Sequence, residues 1–197
     1  MRGEHGVCKP RPDSMSTPAE AEDVKLVASL FSSQETLLDQ VIAELESLFG
    51  PTDWRSPKLF FDRTRFYEKE MGWPLHRRFL AFKDLVRPER LVEIKHRTND
   101  LESQYLQQGS RRINIDPGYV SLERLVLATG KNYSHRIYLS RGIYADLTLI
   151  FKRGSFKALE WTYRDYADPE VIGFFNALRD RYKKQLRGIE DQAGGGH

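Results

Sequence analysis

The chain has 197 residues, of which 40% are hydrophobic and 30% charged, with a formal net charge of +3. That is enough apolar material for one packed domain, and too mild a basic excess for the dense cationic stripe of most nucleic-acid binders. A single cysteine, Cys8, excludes an intrachain disulfide framework and a cysteine zinc cluster.

Residues 1–22 carry Gly, Pro, Ser and charge without periodicity and read as a disordered leader, within which Met15 offers a second start. This leader lacks the apolar stretch of a secretory signal, and no run approaches the roughly 18 apolar residues of a membrane helix. A cytoplasmic protein with no membrane partner is the expectation.

Val24 to Phe31 reads as a buried strand. Ser32 and Glu35 have capping-box spacing, and Leu37, Leu38, Val41, Ile42, Leu45, Leu48 and Phe49 form the stripe of a helix ended by Gly50-Pro51. Strands are expected over Lys58–Asp62 and Arg77–Lys83. Pro88 opens a second helix to about Gln107, and Arg111–Asp116 forms the next strand.

This β-α-β-β-α-β order predicts an α+β fold with a ferredoxin-like core, helices on one face of an antiparallel sheet. Asp116-Pro117-Gly118 reads as a turn, and Leu122–Ala128 as a short helix or apolar segment. Ser134–Ser140 and Tyr144–Phe151 read as a hairpin. A three-residue loop there pairs Tyr138 with Asp146 and Ile137 with Leu147, placing Arg136, Tyr138, Tyr144, Asp146 and Thr148 on one face. Phe156–Tyr163 continues extended, and Asp168-Pro169 caps a final helix before a flexible tail at 188–197. One domain over 23–187 is expected.

The polar groups concentrate between Arg111 and Phe151. Arg112, Asn114 and Asp116 alternate with Ile113 and Ile115, which sets a cation, an amide and a carboxylate on one strand face. Lys131, in a Gly130-Lys131-Asn132 turn, could join Arg112 and Arg136 in holding phosphate; surface salt bridges are the plainer alternative. Asn114, Tyr138 and Tyr144 complete the ligand-binding set. Asp116, Asp146 and His135 are the candidates for catalysis; His135 falls on the apolar face of the expected hairpin, where a core histidine is the plainer reading, and becomes useful near neutral pH if its strand starts one residue later. Asp116 and Asp146, with Asp62, could hold Mg²⁺, although pairing with neighbouring arginines is the favoured account of these carboxylates. Secondary candidates are Asp62, Arg65, Tyr67 and Glu70 in a charged loop, and Lys95 and Asn99, which share a helix face with Glu102 and read most simply as solvated.

The strings FFDRTRFYEKEMG, RRINIDPGY, LATGKNYSHRIYL, GIYADLTLIF and WTYRDY resemble a bacterial family known only as domain of unknown function 4416. The likeness spans about Val24 to Arg187 and implies no particular activity. Some relatives carry the label GTP-binding, yet Gly130-Lys131 is followed by Asn132 and preceded by Leu125 where a P-loop requires glycine. Three readings follow. The first is a binder of, or small enzyme on, a phosphate-bearing small molecule such as a nucleotide. The others are a single-stranded RNA-binding module and a protein-interaction scaffold.

Overall fold

The computed structural model describes residues 17–61 and 68–188. Its elements are β1 (Val24–Ser32), α1 (Glu35–Phe49), β2 (Thr52–Arg55), β3 (Leu59–Phe61), α2 (Glu68–Met71) and β4 (Leu75–Val86). A 3₁₀ turn, Pro88–Arg90, leads into α3 (Leu91–Gln104). Then come β5 (Asn114–Val120), β6 (Arg124–Thr129), β7 (Arg136–Ser140), β8 (Ile143–Lys152), β9 (Ser155–Ala158) and α4 (Pro169–Leu186). The fold is α+β.

Among the described residues all nine strands join one antiparallel sheet, ordered β2-β4-β1-β5-β6-β8-β7, with β3 also on β4 and β9 also on β8. Each edge is thus divided between two short strands, which limits the open backbone ladder.

The sheet is covered on both faces. Leu37, Leu38, Val41, Ile42 and Leu45 of α1 and Ile94 and Leu101 of α3 pack on Leu26, Leu30, Ile113 and Ile115. Val171, Phe175 and Leu178 of α4 pack on the other face, against Val27, Phe79, Leu125 and Leu149. Asp168 caps α4 by accepting the Glu170 N–H, as its position before Pro169 predicts. Lys25, fully buried in β1, is held by Asp53 at 2.5 Å and by Gln185 Oε1 at 3.1 Å. Burial lowers its pKa despite the Asp53 carboxylate.

Several expectations are corrected. Ser32 forms no capping box: its Oγ accepts the Gln34 N–H and donates to the Arg112 carbonyl, while Glu35 pairs with Lys58. β2 has no counterpart in the sequence pattern, because its four residues carry no apolar alternation. Of the two alternatives for Leu122–Ala128 the helix fails: from Arg124 the chain forms strand β6, with Leu125 and Leu127 facing α4 and Val126 and Ala128 facing the opposite side. Asp116-Pro117-Gly118 lies within β5, where pairing on β1 overrides the local turn preference.

The hairpin register also differs. The loop is the two-residue Arg141-Gly142, with φ of 51° and 77°, and Leu139 is the extra residue of a bulge. Tyr138 therefore faces Tyr144, and Arg136 faces Asp146. The bulge keeps like faces together, the condition that a three-residue loop was expected to meet.

Candidate functional site

β5 follows β1 along its whole length but meets β6 only over Gly118–Val120. Pro117 has no N–H to extend the ladder. At Gly118 the two strands approach so closely that a Cβ would lie 2.4 Å from the Val126 carbonyl oxygen. From that pivot the first half of β5 and the end of β6 diverge, and the sheet opens into a wedge. A cavity of about 750 Å³ fills it. The split lets α3, from one face, share a cavity with the 159–168 segment on the other. The lining includes Phe31, Arg77, Lys95, Asn99, Glu102, Arg111, Asn114, Asp116, Thr129, Gly130, Lys131, Arg136, Asp146, Tyr163, Arg164, Asp165 and Tyr166.

One wall is a relay of hydrogen bonds. Glu70 accepts from Arg111 Nε at 2.7 Å and Nη2 at 2.8 Å, and this pairing holds its carboxyl below the usual range. Arg111 Nη1 donates to Asn114 Oδ1 at 2.9 Å, and Asn114 Nδ2 donates to Asp116 Oδ2 at 2.8 Å. Lys95, 7% exposed, donates to the Ile115 carbonyl at 2.9 Å and stands 4.0 Å from Asp116 Oδ1. The solvated-face reading of Lys95 and Asn99 is overturned, because α3 turns these side chains into the split sheet.

The opposite wall centres on Asp146. It accepts from Arg136 Nε at 2.9 Å, and His135 Nε2 lies 3.3 Å away. Arg136 also donates to Tyr163 Oη and to the Lys131 carbonyl, each at 3.0 Å. β7 starts at Arg136, so His135 stands at the strand's mouth rather than on an apolar face. Its ring stacks on Trp161 with centroids 5.0 Å apart. Also lining the cavity, Arg77 pairs with Asp165, and its guanidinium lies 5.2 to 5.6 Å from the ring centres of Phe31, Phe79 and Tyr166. Burial pushes the Tyr166 phenol above its ordinary value.

Glu102 stands apart. Its carboxylate accepts the Ile115 N–H, yet burial raises its pKa to about 7; Asp116 adds to the rise, while Lys95, that N–H and Arg111 oppose it.

The structure thus gathers Asn114, Asp116, Lys131, Arg136, Asp146, Lys95 and Asn99 around one cavity, with Glu70 behind Arg111 and His135 behind Asp146. It does not bring Arg112, Tyr138 or Tyr144 there. A bend at Arg112 breaks the alternation, so Arg112 turns to Gln34 and Arg111 occupies the cavity instead. Ile113 and Ile115 are fully buried, as the alternation predicts. Tyr138 and Tyr144 pack edge to face on the hairpin, 5.2 Å between centroids. Asp62, Arg65 and Tyr67 lie outside the described residues. Among the described residues no three His, Cys, Asp or Glu side chains converge as metal ligands. Asp116 and Asp146 share the cavity, each beside a cation.

Sequence reasoning missed Arg77, Arg164 and Asp165. For Arg77 a signal existed: it occupies a core-facing position of β4 between Leu75 and Phe79, where a charge is costly unless paired. No local pattern marks Arg164 and Asp165.

Fold and cavity define an α+β protein whose split antiparallel sheet encloses a polar, cation-rich cavity. Among the described residues no helix is long and apolar enough to cross a membrane. The chain belongs to the family described as Domain of unknown function (DUF4416), whose model matches residues 22–182. No curated protein and no solved structure matches it.

Proposed function

We propose that the wedge cavity binds a small phosphate-bearing molecule such as a nucleotide, as a binding protein or small enzyme and not through a P-loop. One observation carries this reading: Arg77, Lys95, Arg111, Lys131, Arg136 and Arg164 reach a single cavity from six different segments. Arg77, Arg111 and Arg136 are held in place by Asp165, Glu70 and Asp146. Lys131 and Arg164 have no carboxylate within 4.0 Å among the described residues, which leaves them to meet a ligand. Fixed guanidinium groups suit the forked geometry of phosphate oxygens. A cavity of this size fits a nucleotide-sized ligand.

The RNA-binding reading draws less support, since the exposed Tyr138 is spent on a hairpin contact away from these cations. Asp116 and Asp146 could also orient a Mg²⁺ carried in by a phosphate ligand. We further read β1-α1-β2-β4-α3-β5 as a ferredoxin-like core extended by β6–β9 and α4, supported by the order β2-β4-β1-β5 and by α1 and α3 sharing one face. A cytoplasmic location belongs to the same reading.

A thermal-shift screen of nucleotides and sugar phosphates, with and without Mg²⁺, tests the proposal. A ligand at a hundred times its Kd stabilises the folded state by about 2.7 kcal/mol. If no anion raises Tm, or if Arg136→Ala and Lys131→Ala leave a real shift intact, the cavity is not the site.

A further inference from the structure

Glu102 differs from the other carboxylates lining the cavity. Asp116 has Lys95 4.0 Å away, Asp146 is bonded by Arg136, and Asp165 is bonded by Arg77. Among the described residues Glu102 has no cation within 4.0 Å. Its Oε1 accepts the Ile115 N–H, and among the described residues Oε2 has no donor. Lys95 from its own helix and Arg111 and Asp116 from the β5 side are its nearest charged neighbours, with Lys131, Arg136 and Asp146 across the cavity.

An anion drawn in by these cations meets a carboxyl with an oxygen to spare. Two anionic oxygens stand at hydrogen-bond distance only when a proton lies between them. That proton comes either from solvent, which must first neutralise Glu102, or from the anion itself. We propose that Glu102 makes the cavity select an anion that brings its own proton, a phosphate group bearing a P–OH, over a fully ionised one such as sulfate. This selection presupposes that the cavity is an anion site, as proposed above.

The acidity of Glu102 places the effect in an accessible range. Burial raises its carboxyl to about 7, so above neutral pH it is charged in the unliganded protein. Sulfate must then draw one proton from solvent, and its affinity falls by about tenfold per pH unit. Inorganic phosphate retains a P–OH even as the dianion, donates it to Oε2, and escapes that loss. The P–OH of a phosphomonoester monoanion has the same chemistry; the dianionic ester, like sulfate, requires the solvent proton.

Isothermal titration of the full chain with inorganic phosphate and with sulfate, at constant ionic strength, tests this at about pH 6 and about pH 8.5. The expected result is a loss of sulfate affinity of about thirtyfold across that range, with phosphate changing by less than about threefold. In Glu102→Gln the amide oxygen can still accept the Ile115 N–H, and its N–H₂ donates at every pH. Sulfate binding then loses its pH dependence, and the discrimination disappears. Equal pH dependence of the two anions in the native protein, or an unchanged phosphate-to-sulfate ratio in Glu102→Gln, overturns the selection while leaving the anion site standing. If neither anion binds the native protein, the site and the selection fall together.

Discussion

Arg136 and Asp146 stand directly opposite each other on β7 and β8, joined by a 2.9 Å hydrogen bond, with both side chains less than a tenth exposed. A buried pair of this kind is costly to break, because the survivor keeps its charge without its partner. Asp146→Ala is expected to destabilise the fold by about 3 kcal/mol in urea unfolding. Combining it with Arg136→Met should cost less than the two single changes added together. Additive losses would mean that the pair contributes no coupling.

Gly118 is the pivot of the wedge. Its added Cβ would meet backbone, the Val126 carbonyl oxygen at 2.4 Å, which cannot swing aside as a side chain can. Gly118→Ala should therefore cost about 2 kcal/mol or more. Gly130 lines the same cavity, and a Cβ there meets nothing within 4 Å. Gly130→Ala should stay within about 0.5 kcal/mol of the native protein. Similar midpoints for the two variants would contradict the pivot.

Lys131 separates binding from folding. It is exposed, and among the described residues no carboxylate lies within 4.0 Å of it. Lys131→Ala should change stability by less than about 0.5 kcal/mol. It should nevertheless weaken the bound anion by roughly fivefold to tenfold at low salt, an effect that fades as salt screens the cavity mouth.

The pH dependence of stability reports on Glu102. Its folded pKa, about 7, lies above the ordinary 4.5. The folded state thus binds the proton more tightly than the unfolded chain does. Any stability from this group is complete below about pH 4 and is lost as the pH rises through 7. Glu102→Gln should equal the native protein below that range. Above neutrality it should be more stable by ~2 kcal/mol, allowing for the group's partial exposure. Denaturation midpoints at both pH values check the sign.

Tyr138 and Tyr144 form a cross-strand pair away from the cavity. Tyr138→Ala should cost about 0.5–1 kcal/mol through the hairpin. It should leave the anion-induced rise in Tm unchanged, so a lost rise would return these tyrosines to the site.

Local pattern by itself determined β1, α1, α3 and α4: Val24–Phe31 is an unbroken apolar run buried on both faces, Leu37 to Leu45 and Val171 to Tyr182 are helical stripes, and Pro88 marks the start of the helix that follows it. It also located the polar concentration around Asn114, Asp116, Lys131, Arg136 and Asp146, since strand alternation is local. What only the tertiary structure decided is everything that depends on where two distant segments touch. The bend that exchanges Arg112 for Arg111, the Leu139 bulge that sets Arg136 on Asp146, and the loss of β5–β6 pairing before Gly118 arise from packing against neighbours. No residue within a few positions encodes them. Lys95 and Glu102 look like a solvated helix face in sequence for the same reason. Their helix covers a gap in the sheet, and a gap between strands leaves no periodic trace in either one.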